Sequence, residues 1–124
     1  MIRLGHVSIN EKSKELVNQV LSSGEIGQSE MITRFERVFA KWLGVKHCVA
    51  VCNGTMADTV ALAVIKYLNP GKDEVIVPAF GFISIASSVL WVGAKPVFAD
   101  VREEDFALDP HEVERKITSK TKAI

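Results

Sequence analysis

The stretch Glu74-Val75-Ile76-Val77-Pro78-Ala79-Phe80-Gly81-Phe82 decides the fold. Its first five residues read as a short strand, which passes through Ala79-Phe80-Gly81 into a helix over 82–92. On the N-terminal side, Cys48-Val49-Ala50-Val51-Cys52 is apolar on both faces, as a strand covered by helices on both sides must be. Asn53-Gly54-Thr55 turns that segment directly into a helix running to about residue 68, which Asn69-Pro70-Gly71 ends. On the C-terminal side a third strand spans 96–101. Asp109-Pro110-His111-Glu112 then reads as a capping box with proline at the first helical position, opening a short helix over 110–117. Lys122-Ala123-Ile124 begins a further apolar strand. Strands alternating with helices are the pattern of a parallel α/β sheet with right-handed crossovers.

A helical preamble precedes these units. Asn10 is placed to cap a helix whose apolar residues Leu16, Val17, Val20 and Leu21 fall at helical spacing. A polar, glycine-containing loop over 22–28 follows. From Ser29 a second helix carries Met31, Ile32, Phe35, Val38, Phe39, Trp42 and Leu43 as one stripe, expected to be buried, and Gly44 stops it. The reading divides the chain into a helical segment, 1–45, and an α/β portion, 46–124.

The chain has 124 residues with 15 basic and 15 acidic side chains, a formal net charge of zero. That balance argues against a sequence-independent nucleic-acid binder, which needs surplus Lys and Arg against phosphate. The apolar run 60–65 is far short of the ~20 residues needed to span a bilayer, and the start has no stretch resembling a signal peptide. A soluble, cytoplasmic protein is expected, with no membrane partner. Cys48 and Cys52, four residues apart on a strand, would lie about 13 Å apart, beyond the ~7 Å a disulfide allows. They read as plain buried thiols. His6, His47 and His111 are scattered and form no metal-ligand cluster.

Two helices are unusual. The one after Thr55 carries Met56, Ala57, Val60, Ala61, Leu62, Ala63, Val64, Ile65 and Leu68, and is apolar nearly all round. The one after Phe82 is broken only by Ser84, Ser87 and Ser88. Such helices are buried on more than one side, and a three-stranded sheet does not readily cover two of them. The expectation is an N-terminal piece of a larger fold, or a chain whose partner subunits supply the cover.

The turn Val51-Cys52-Asn53-Gly54-Thr55-Met56 is the best candidate site. A helix N-terminus presents unpaired N–H groups and the positive end of the dipole, which suits a phosphate. Gly54 removes the side chain that would block approach, and the Thr55 hydroxyl offers a further hydrogen bond. The same residues also serve as an ordinary turn and cap. No Gly-Lys-Ser/Thr follows, so this is not a nucleoside-triphosphate loop, and the later glycines of the dinucleotide fingerprint are missing. At the next strand end, Phe80 or Phe82 is placed to stack on a flat heterocycle, or to lie in the core. Asp100, closing the third strand, is either a third group at this edge or a loop cap.

Several spaced segments carry a resemblance. Gly24 and Gly27, Phe35-Glu36, Gly44-Val45-Lys46, Asn53-Gly54-Thr55, Gly71-Lys72-Asp73-Glu74-Val75-Ile76-Val77-Pro78, Gly93-Ala94-Lys95-Pro96-Val97-Phe98-Ala99-Asp100-Val101 and the stretch 118–124 resemble, in this order, the start of sugar aminotransferases. These are the DegT/DnrJ/EryC1/StrS group of fold-type I pyridoxal-phosphate enzymes. The resemblance covers essentially the whole chain and corresponds to roughly the first third of a typical member.

It implies a partial α/β/α sandwich, the N-terminal part of a fold-type I large domain, with pyridoxal 5'-phosphate as cofactor. Gly54 and Thr55, with the backbone of Met56, match the family's phosphate cup. Phe82 matches the aromatic residue that stacks on the pyridine, and the loop 24–28 matches a segment near an active site assembled at a dimer interface. Asp58 departs from the family in standing where an apolar residue is usual, and Gly81 in replacing a common threonine. The family's Schiff-base lysine, and the aspartate paired with the pyridine nitrogen, lie beyond the position matching Ile124. Lys46, Lys66, Lys72 and Lys95 read as surface charges instead. No catalytic residue is therefore expected among these 124 residues, and the chain alone is expected to be inert.

The implied activity is transfer of an amino group, usually from glutamate, to a nucleotide-linked keto-sugar for polysaccharide or secondary-metabolite assembly, by a homodimer. A sugar dehydratase of the same family is the alternative enzyme. A non-catalytic binding or regulatory module is the alternative from another class, opposed by the apolar area a lone module would leave uncovered.

Overall fold

The computed structural model describes residue 5 and residues 7–124, so His6 lies outside the described residues. The chain forms two units, Met1–Ala50 and Val51–Ile124.

The first unit contains α1 (Glu11–Ser23) and α2 (Glu30–Leu43). Asn10 caps α1 as its sequence position predicts, its Oδ1 accepting from the Ser13 amide at 2.9 Å. α2 ends at Gly44, whose φ of 74° is a left-handed C-cap that a residue with a Cβ adopts only under strain. Together the helices line an apolar groove of about 600 Å³ that includes Leu16, Val20, Met31 and Phe35. The stripe on α2 is not buried within this unit. Phe35, Phe39 and Trp42 pack along the helix as tilted rings, with successive centroids 5.7 and 5.5 Å apart, yet all three remain exposed and only Ala40 of α2 is buried. One short neighbouring helix offers too little surface to cover seven apolar side chains.

The second unit contains α3 (Gly54–Leu68), β1 (Glu74–Pro78), α4 (Ser84–Trp91), β2 (Lys95–Ala99), α5 (Pro110–Lys116) and β3 (Thr121–Ala123). The strands form a parallel sheet in the order β2-β1-β3. β1 pairs with β2 from Glu74↔Lys95 to Pro78↔Ala99, and with β3 at Glu74↔Thr121 and Val75↔Ala123. As the central strand it is buried on both faces. The core joins Val75 and Val77 of β1 to Val89 of α4 and Ala94, with Leu62, Ile85, Val92 and Ala123 packed around them.

Four expectations are corrected. Residues 48–52 are not a strand. A strand exists through its ladder, and this segment pairs with none of β1, β2 and β3; its long-range backbone tie is the Ala50 amide donating to Glu36 Oε1 at 2.8 Å. Outside any strand, Cys48 is only half-buried and Cys52 is exposed, both as free thiols. β2 stops at Ala99, and Val101 instead bridges antiparallel to Leu108 across a turn. The box at Asp109 is half formed: its carboxylate accepts from the His111 amide at 2.8 Å, but the Asp109 amide donates to Asp100 O while Glu112 pairs with Arg115.

α3 and α4 each send one side to the core and leave another open, with Val60, Val64, Leu68, Leu90 and Trp91 exposed. The sheet covers one side of each helix and no more. Among the described residues no helix is long and apolar enough to cross a membrane.

Candidate functional site

The site begins at the first turn of α3. Asn53 is extended (φ −165°, ψ 172°), and its Oδ1 accepts from the Met56 amide at 3.0 Å while its carbonyl accepts from Ala57. The backbone N–H of Met56 is thus already spent on the cap. The amides of Gly54 and Thr55, and the Thr55 hydroxyl, have no partner among the described residues. No acidic residue lies in this first turn, so no carboxylate there offsets the positive end of the α3 dipole. A Cβ built at Gly54 meets nothing within 4 Å. The protein does not need glycine there for its own packing, and the space a side chain would fill is open.

β1 delivers the second part. Its C-terminal end runs through Ala79-Phe80-Gly81 to Phe82, two residues before α4. The two phenylalanines separate here. Phe80 packs on Phe106 with centroids 5.5 Å apart, whereas Phe82 is 75% exposed and joins no aromatic pair among the described residues. Phe106 holds a left-handed φ of 57°, and its amide donates to Arg102 O at 3.0 Å. Gly81 is matched to its neighbour, because a Cβ there would come within 3.0 Å of Ile85 Cδ1. Asp58 is exposed at the rim of a 290 Å³ cavity lined by Leu62, Val77, Ile85 and Val89, so the charge in this apolar helix stays in water.

The remaining candidates have structural jobs. The Asp100 carboxylate accepts from the Val101 amide at 2.8 Å, which makes it a loop cap. Lys66 donates to the carbonyls of Val92 and Gly93 at the end of α4. Lys95 pairs with Glu74 at 3.0 Å. The loop 24–28 belongs to the first unit.

One residue that sequence reasoning passed over joins the parts. Ser88 of α4, fully buried at 0% exposure, donates from Oγ to the Thr55 carbonyl at 3.2 Å. Its signal was visible as one of three hydroxyls on an otherwise apolar helix, but three were equivalent in sequence.

An open parallel sheet with a free helix N-terminus and an exposed aromatic residue beyond a strand end places this chain among the α/β proteins, whose ligands bind outside the carboxyl ends of the strands. The chain belongs to the DegT/DnrJ/EryC1/StrS aminotransferase family, whose model matches residues 7–124. It is similar to GDP-perosamine synthase of Vibrio cholerae, with 36% identity over 125 residues covering 100% of this chain and 34% of that protein. It also resembles the PLP form of the putative sugar aminotransferase Spr1654 from Streptococcus pneumoniae. There the TM-score is 0.81 at 32% identity, over 92% of this chain and 29% of the other. The E. coli GDP-4-keto-6-deoxy-D-mannose-3-dehydratase with hydrated PLP has the same fold (TM-score 0.81), at 22% identity over 95% of this chain and 31% of that one. The fold is a partial α/β/α sandwich of fold-type I. The chain spans between about a quarter and a third of the length of the curated relatives it matches.

Proposed function

We propose that this chain supplies part of the cofactor cradle of a PLP-dependent aminotransferase acting on a nucleotide-linked keto-sugar, with glutamate as amino donor. The observation that carries the reading is the pair of free amides at Gly54 and Thr55, next to the open Cβ position of Gly54, at a helix N-terminus with no acidic residue in its first turn. The fit is to a phosphate group: two main-chain donors and the Thr55 hydroxyl would hold it, and the helix dipole favours its charge. Met56 contributes through its place in the turn, since its amide is committed to Asn53. Phe82 would stack on the ring. The cofactor, when bound, supplies an electron sink for the amino-transfer chemistry. The relatives' sugar-directed names support the substrate class.

The reacting amine is not among these 124 residues. The engagement of Lys66 with two carbonyls and of Lys95 with Glu74 supports structural roles for both. The chain by itself therefore binds phosphate-bearing vitamers without turnover. The exposed rings of Phe35, Phe39 and Trp42 support packing against further protein, and the reading takes the assembly to be a cytoplasmic homodimer.

The test is titration of the chain with pyridoxal 5'-phosphate and with pyridoxal, followed by phosphorus NMR and by borohydride reduction. The reading requires phosphate-dependent binding, competed by inorganic phosphate, and no single stoichiometric lysine adduct. Equal binding of the two vitamers, or one lysine labelled to completion, overturns it.

A further inference from the structure

Two hydroxyls converge on the Thr55 carbonyl in addition to the helix ladder: Thr59 Oγ1 at 2.8 Å, from the same helix, and Ser88 Oγ at 3.2 Å, from α4. They are not equivalent. Thr59 lies one turn along α3 and moves with it. Ser88 is anchored in the core beside Val89, one of the most buried side chains of the unit. Its helix begins just after Phe82. The Ser88 hydrogen bond is thus a polar tie between the two elements that present the candidate phosphate and ring contacts. A hydroxyl in a fully buried position keeps its partner, because leaving it unpaired costs desolvation without return. The Thr55 carbonyl shares a rigid peptide plane with the Met56 amide, so fixing it restricts the first turn next to the Gly54 and Thr55 amides.

We propose that Ser88 is a positioning residue for the anion cradle: by holding the Thr55 carbonyl against α4 it sets the direction of the amides at the α3 N-terminus. Its bearing on a phosphate ligand rests on the reading above; its bearing on the turn does not.

The test compares Ser88→Ala and Thr59→Val with the parent chain, with two readouts. The first is amide hydrogen exchange without any ligand. Ser88→Ala should speed exchange at Met56 and Ala57, whose amides are tied to Asn53, by about fivefold, the scale of one neutral hydrogen bond. The β1 amides of Val75 to Val77 should keep their rates, and Thr59→Val should stay within about twofold of the parent. The second readout is the ratio of affinities for pyridoxal 5'-phosphate and pyridoxal, which should fall about fivefold in Ser88→Ala and hold in Thr59→Val.

Uniformly faster exchange in Ser88→Ala would reveal general core loosening, and indistinguishable behaviour of the two variants would reveal mere loss of one of two equivalent bonds. Either result, or unchanged exchange, overturns the proposal. If the parent chain binds neither vitamer, the cofactor reading fails, and the exchange data alone still decide whether Ser88 positions the turn.

Discussion

Thr118 Oγ1 donates to Glu74 Oε2 at 2.6 Å, while Lys95 Nζ donates to the other oxygen of the same carboxylate at 3.0 Å. One side chain at the start of the central strand thereby reaches the first residue of β2 and a residue just before β3. Glu74 is 8% exposed, and its hydrogen bonds, first from Thr118 and then from Lys95, hold its pKa below the ordinary carboxylate value against the opposing effect of burial.

The sign of the pH dependence follows. A carboxyl whose pKa is lowered by folding stabilises the native state above its unfolded pKa, and the contribution is lost as pH falls through the lower, folded value. Glu74→Gln should therefore reduce stability at neutral pH and flatten the fall in melting temperature across the acid range. Thermal melts of both proteins from pH 7 downward check this; parallel profiles would contradict it.

Gly54→Ala separates ligand from fold. The open space at this position and the absence of a positive φ mean that alanine is accommodated, with a stability change within about 1 kcal/mol. Affinity for pyridoxal 5'-phosphate should nevertheless fall by about tenfold, roughly 1.4 kcal/mol, because the new methyl group occupies the approach to the amides. Paired melts and titrations measure both quantities.

Asn53→Ala removes the cap on the Met56 amide. The expected cost is about 1 kcal/mol of stability, seen as a lower denaturation midpoint with unchanged slope.

Phe82→Ala should leave the melting temperature in place, since the side chain is largely in water. Loss of one stacked ring, about 0.5–1.5 kcal/mol, should weaken binding of both pyridoxal 5'-phosphate and pyridoxal by several-fold. Phe80→Ala, which removes the packing on Phe106, should instead lower stability. A reversed pattern would exchange the roles assigned to the two rings.

Most local signals were legible, the half-formed box at Asp109 being the exception. Asn10, Asn53 and Asp109 cap the helices they precede, Gly44 ends α2, and the apolar run from Val75 to Val77 is the buried centre of the sheet. In each case the bond or period is set within a few residues, so the order of residue types is sufficient. The segment 48–52 was misread because its composition is that of a strand while a strand also needs a neighbour, and composition carries no information about which neighbour is present.

The sequence by itself therefore determined the helices, the central strand, the family and the glycine-containing turn that heads α3. Tertiary structure alone decided that β1 lies between β2 and β3, that Phe80 is taken up by Phe106 while Phe82 stays free, and that Ser88 out of three serines reaches Thr55. Those outcomes depend on contacts between residues far apart in the chain. Such contacts are fixed by how whole elements pack, which no short window of residues encodes.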